Sequence, residues 1–268
     1  MMKKFTITGL LVCAAITTAS AQSTYLRAGT GYAFAAASGS YSQYSNNSSG
    51  ETEKLVHFSY GKGINSQIAI GRMFTEHFGI ELGIGYLKGL KTEFNDTDVY
   101  NGETETYTTE HRANMFSLLP AVVLRGGGER VVPYGRFGVI AGSVKGITTY
   151  ESGYVSETYK HEIEETGGIT FGFTAALGVQ IPVSEKFSLF AEGNLMQLAW
   201  APKEGKVTKA SYNGENVLDL LDDEEKEVKY VDEITYDYSS GGNIENKELR
   251  AKRPMSNAGL SIGVQFNF

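Results

Sequence analysis

Few residues in this sequence have chemistry to offer. The histidines are His57, His77, His111 and His161, and the only cysteine is Cys13. Hydrolysis needs a base beside a nucleophile or an acid. Ser59 near His57 and Ser117 near His111 are the available partners. No Gly-x-Ser-x-Gly elbow accompanies either pair. His161-Glu162 is followed by Ile163-Glu164-Glu165, without the second histidine of a zinc helix. The run Asp222-Asp223-Glu224-Glu225 offers carboxylate oxygens to a divalent cation but lacks the spacing of a calcium loop. It reads as a solvated face. The expectation is therefore no catalytic residue, no metal and no cofactor. Four other charges, Arg27, Glu81, Arg136 and Glu192, stand out only once the elements that carry them are considered.

Those elements follow from composition and period. The 268 residues are 41% hydrophobic and 12% aromatic, with 32 Gly, 16 Tyr and 14 Phe but 5 Pro. This is too apolar for a disordered chain. A mean hydropathy of -0.22 is too low for a bundle of membrane helices. A net charge of -7 argues against a nucleic-acid partner.

Residues 1–21 read as a secretory signal: Lys3 and Lys4, an apolar run over 5–16, and Ala19-Ser20-Ala21 before the cut. Cys13 would leave with it. The remainder, 22–268, reads as one domain.

Beyond residue 21 the apolar residues alternate. Ala258, Leu260, Ile262, Val264, Phe266 and Phe268 share one parity; Gly259, Ser261, Gly263, Gln265 and Asn267 share the other. Phe78, Ile80, Leu82, Ile84 and Tyr86 repeat the pattern, as do alternate residues over 169–181. Period two is a strand signature. The second face is small and polar, which suits the crowded interior of a narrow barrel, while the apolar face suits lipid.

The pattern predicts eight strands, over 24–36, 57–74, 77–90, 111–125, 132–144, 168–182, 186–200 and 256–268. Strand two has a second possible start near Ile64, and Pro120 removes one ladder donor from strand four. Short joins follow strands two, four and six; long ones follow one, three, five and seven. The expected fold is all-β, an eight-stranded antiparallel up-and-down transmembrane β-barrel with long extracellular loops. Interfacial aromatics are expected at Phe74, Tyr134, Phe187 and Phe268 on one side, and Tyr32, Tyr86 and Trp200 on the other.

The same parity turns Arg27, Glu81, Arg136 and Glu192 inward. Buried charge is costly unless paired, so Arg136 is expected to meet Glu81 or Glu192, either as interior packing or as a gate. Outside, Asn101-Gly102 suits a tight hairpin. Residues 148–159, around Ser152-Gly153, read as another hairpin, and both hairpins are expected to prolong strands beyond the membrane. Residues 219–227 read as a short helical turn with Leu218 and Leu221 on its apolar side. Val228, Tyr230, Ile234, Tyr236 and Tyr238 read as a further extension.

The signal, the alternating strands, the glycine-rich turn over 71–83 and the terminal Phe268 resemble the OmpA/OmpX-like outer-membrane β-barrel family of Gram-negative bacteria. No periplasmic domain of the OmpA kind is expected beside the barrel. The resemblance implies an outer-membrane location. It also implies lipid and lipopolysaccharide as surroundings, and recognition of Phe266 and Phe268 by the barrel-assembly machinery. Activity does not follow from fold. The expected role of a monomer is envelope structure or surface interaction through the loops with an extracellular partner. A narrow porin-like channel and an outer-leaflet lipid enzyme are the alternatives.

Overall fold

A computed structural model describes residues 23–36, 39–47, 50–100, 103–154, 157–234 and 246–268. The signal segment with Cys13, the Asn101-Gly102 pair, and Tyr236 and Tyr238 lie outside the described residues. The strands are β1 (Ser23–Ala35), β2 (Gly39–Asn47), β3 (Gly50–Phe58), β4 (Gly63–Met73), β5 (Phe78–Gly89), β6 (Thr92–Tyr100), β7 (Glu103–Arg125), β8 (Val132–Tyr154) and β9 (Glu157–Thr166). They continue with β10 (Ile169–Pro182), β11 (Phe187–Trp200), β12 (Glu204–Tyr212), β13 (Glu215–Asn216), β14 (Glu227–Val231), β15 (Lys247–Leu249), β16 (Arg253–Pro254) and β17 (Asn257–Asn267). All 17 belong to one sheet.

The pairing closes on itself. Tyr25 of β1 faces Gly71 of β4, which faces Glu81 of β5. The walk continues through Ala121 of β7, Gly138 of β8, Thr174 of β10, Met196 of β11 and Asn257 of β17. It returns to β1 at Ala35, ten residues along from Tyr25. Such a stagger is what tilted strands require to close a barrel. Closure leaves no edge in this part of the sheet, so every strand has a neighbour on each side.

Alternation decides what faces where. Leu26, Ile68, Ile70, Leu82, Ile84, Phe116, Phe171 and Leu260 are exposed on the outside. Their neighbours in sequence are small or polar and turn inward. Glycine makes room there for aromatic side chains. A Cβ on Gly71 would fall 2.1 Å from the Tyr25 ring, and one on Gly263 would fall 2.4 Å from Phe190.

Several details depart from the sequence expectation. Strand two is not continuous over 57–74; β3 ends at Phe58 and β4 begins at Gly63. The break is a hydroxyl turn. Gly61 N donates to Ser59 Oγ (3.1 Å), and Ser59 Oγ donates to Ser256 O (2.7 Å). β7 and β8 run past the bounds read over 111–125 and 132–144, into the segments expected to prolong those strands beyond the membrane. Ser152 and Gly153 lie within β8, paired to Tyr107 and Thr106, and the β8–β9 ladder starts at Tyr154–Glu157 rather than at Ser152-Gly153. Around Pro120, which has no amide to donate, the β7–β8 register omits Leu119 and Pro120 and resumes unchanged at Ala121. Residues 219–227 are not one turn. A 3-10 turn covers Leu218–Leu220, and a separate helix, α1 (Asp223–Lys226), is capped by Asp222, whose side chain accepts from Glu225 N. That cap puts the acid run to structural use.

Two of the expected interfacial aromatics point the wrong way for that role. Tyr134 and Trp200 are buried inside. Tyr134 shares parity with Arg136, and Trp200 with Glu192. Nearness to a strand end had suggested the belt; the pleat decides otherwise. Tyr32 and Phe268 are exposed, and Phe74, Tyr86 and Phe187 are half-buried.

Candidate functional site

The barrel interior is layered. Nearest the three short turns lie Tyr25, Met73 and Val123. Above them the structure brings all four inward charges into one cluster, each from a different strand. Arg136 Nη1 donates to Glu81 Oε1 and its Nη2 to Glu192 Oε1, both at 2.6 Å. Arg27 pairs with Glu192 Oε2. The Glu192 side chain is wholly buried. Arg136 therefore bridges both carboxylates rather than choosing one.

Three further side chains complete the cluster. Tyr25 Oη donates to Glu81 Oε2 (3.0 Å), Tyr134 Oη to Glu192 Oε2 (2.8 Å), and Gln67 Nε2 to Glu192 Oε1 (3.1 Å). Arg27 also stacks on the Phe190 ring, 3.6 Å from its centroid. Sequence reasoning missed these partners. Parity was the available signal: Tyr25 stands two residues before Arg27 and Tyr134 two before Arg136, on the same face.

Next comes an apolar layer of Ala33, Leu87, Ala113, Met115, Ile140, Val144 and Leu198, topped by Tyr60, Trp200 and Met255.

A second buried cluster sits above that layer, beyond the apolar belt. Its centre is Glu165, 1% exposed, near the end of β9. Arg253 from β16 donates to Glu165, and Tyr230 Oη from β14 donates to Glu165 Oε1 (2.7 Å). Thr148 Oγ1 from β8 adds a longer bond to Oε2 (3.3 Å). Arg253 also donates to Tyr60 Oη (2.9 Å) and lies over the Tyr60, Trp200 and Tyr230 rings at 5.6–6.0 Å. Burial pushes the Glu165 carboxyl up from its ordinary pKa, against the pull of Arg253. No single segment carries this cluster, so spacing could not reveal it.

His111 and His161 pack against aromatic rings, and His57 and His77 are exposed. His111 stacks on Phe58 and contacts Thr148 Oγ1 (3.1 Å); burial, aided by Arg253, lowers its pKa to about 4. His161 stacks between Tyr150 and Tyr159. His77 contacts Arg125 O in a short turn. Ser59, the serine beside His57, has its hydroxyl engaged by Ser256 and Gly61.

At the C-terminus, Phe266 and Phe268 pack edge to face, with centroids 5.2 Å apart, and Phe268 N donates to Thr24 O (2.9 Å) where β17 meets β1. Both rings are exposed on the outer surface.

A closed sheet with an apolar exterior and a paired polar interior defines the class of protein that crosses a membrane by strands. Among the described residues no helix is long and apolar enough to cross one. The family follows from comparison: a model of the outer membrane protein beta-barrel domain matches residues 5–216, and the chain belongs to that family. Its place is the outer membrane. The matched span stops short of β17, the strand that closes the circuit. No curated protein matches the chain.

Proposed function

We propose that this protein is an eight-stranded outer-membrane barrel that works as a closed anchor, presenting a rigid sheet outside the cell to a surface partner. The eight are β1, β4, β5, β7, β8, β10, β11 and β17. On this reading the short turns face the periplasm, the signal over 1–21 is removed on export, and the barrel acts as a monomer.

The observation that carries the reading is the unbroken direction of β7 and β8. Their pairing runs from Arg125–Tyr134 at the short-turn end to Glu105–Tyr154 far beyond the apolar belt. β6 flanks it on one side, and β9 and β12 on the other. Ladder hydrogen bonds make this projection stiff, and stiff surfaces bind without a large ordering cost. It exposes Tyr107, Tyr154, Tyr159 and Tyr212, amphipathic rings suited to protein contacts. Beside β2, the nine-residue β3 pairs with no other described strand, which offers an edge for strand addition.

The layered lumen speaks against the channel alternative. Nothing at the histidines supports a lipid enzyme.

The test compares the wild-type protein with a variant in which residues 39–57 are replaced by a short turn. Purified wild-type protein in planar bilayers is expected to show no steady unitary current. Cells displaying the trimmed variant should assemble the barrel but lose adhesion to other cells and surfaces. Steady currents, or adhesion unchanged by trimming, would overturn the reading.

A further inference from the structure

Below the lumen ion pairs, a small vestibule of about 20 Å³ opens toward the short turns. Tyr25, Arg27, Arg125, Tyr134, Gln180 and Gln265 are among its lining residues. Its volume suits one water molecule or one monatomic ion and excludes sulfate or phosphate. Two lining side chains that are nearly fully buried bring donors with no acceptor in the protein. Arg27 is 3% exposed and its Nε is unpaired; Gln180 is 4% exposed and its Nε2 is unpaired. Buried donors are rarely left so.

The charge around the space has one sign. Arg27 and Arg125 are among its lining residues and no Asp or Glu is. Glu81 and Glu192, the nearest acids, are already committed to Arg136, Arg27 and two tyrosine hydroxyls. Those hydroxyls point their protons at the carboxylates, not at the vestibule. The unpaired groups are thus N–H donors, with the positive side chain of Arg125 also in the lining. A halide needs only donors, and Arg27 Nε and Gln180 Nε2 supply two.

We propose that this vestibule binds a single halide-sized anion, chloride in ordinary media, held by Arg27 Nε and Gln180 Nε2 with Arg125 contributing charge. The ion would satisfy both donors and fix the Arg27 guanidinium in its stack between Phe190 and Glu192. This inference rests on the barrel interior alone and is independent of what the outer sheet binds.

The test is diffraction from crystals of the detergent-purified protein with chloride exchanged for bromide. An anomalous peak within hydrogen-bonding reach of both nitrogens is expected. Gln180→Glu supplies its own acceptor to Arg27 and should abolish the peak. Gln180→Met, which removes one donor, should weaken it if the acidic variant fails to fold. In solution, replacing chloride by gluconate at constant ionic strength should lower the wild-type Tm by about 2–4 °C, the order that modest ligand linkage produces in a domain of this size. Gln180→Glu should show no such drop. A water at the site with no anomalous signal would overturn the proposal. So would an adventitious ion only, seen as equal peaks in wild type and Gln180→Glu, or Tm shifts of equal size in both.

Discussion

Arg253 reaches Glu165 across 88 residues of chain and ties the last part of the longest connection down over the outer mouth of the barrel. The pair joins β16 to β9, and Tyr230 brings in β14 on the same carboxylate. Removing one member of a buried pair strands the other and costs about 3–5 kcal/mol. Arg253→Ala should therefore release the segment over 246–255 while leaving β12 on β9 and the membrane-embedded strands paired. Limited proteolysis of the protein in vesicles should cut this connection at least tenfold faster in the variant. Equal rates would mean that the ion pair does not hold the connection.

The same closure depends on a close approach of two backbones. A Cβ on Gly61 would lie 2.0 Å from Met255 O, and backbone oxygen cannot move aside as a side chain can. Gly61→Ala should push the 253–256 segment away from the Ser59 turn and weaken the Tyr60 N to Pro254 O bond (2.9 Å). The expected loss is about 1–3 kcal/mol, read as a lower urea midpoint with m unchanged.

Acid should loosen this outer cluster through His111. Its pKa falls from 6.5 to about 4 in the folded state because burial disfavours the cation, with Arg253 adding repulsion. The folded state thus resists protonation that the unfolded state accepts. Stability is fully present above pH 6.5 and is lost as pH falls toward about 4, by up to about 3 kcal/mol. Glu165 acts in the opposite sense. Its raised pKa gives a contribution that is present at low pH and lost as pH rises through the folded value. His111→Gln keeps a group able to bond Thr148 and removes the titration. Thermal midpoints between pH 4 and 7 should flatten in the variant relative to wild type.

Much of this arrangement was legible in the sequence, for a simple reason. Alternation is strictly local, so the faces of β5, β10 and β17 could be read residue by residue, and Arg27, Glu81, Arg136 and Glu192 were placed inward on parity alone. Their partners needed register. Whether Arg136 sits level with Glu81, Glu192 or both depends on how far each strand slides past its neighbour, and no local pattern carries that. Tyr134 and Trp200 were misplaced because proximity to a strand end was weighed above parity. The Glu165–Arg253 cluster was illegible altogether. Its members come from β8, β9, β14 and β16, whose meeting is a tertiary event, and neither charge stands out from the many acids and lysines around it.

Arg136 is the side chain on which the lower cluster turns. It alone contacts both Glu81 and Glu192, and its own side chain is 11% exposed. Arg136→Ala would leave Glu81 with Tyr25 alone, and Glu192 with Arg27, Tyr134 and Gln67. Glu81 would then be a buried carboxylate without a cation, so the variant should lose about 3–5 kcal/mol. Glu81→Gln in the same background removes that stranded charge while keeping an acceptor for Tyr25, and should recover a substantial part of the loss. The comparison is a double-mutant cycle by urea unfolding in micelles. Bilayer recordings on the same variants separate packing from gating. The layer of Leu87, Met115, Ile140 and Leu198 lies above the cluster and is untouched by either substitution. Arg136→Ala should accordingly be less stable yet still non-conducting. A conducting variant of unchanged stability would make the cluster a gate and the apolar layer permeable.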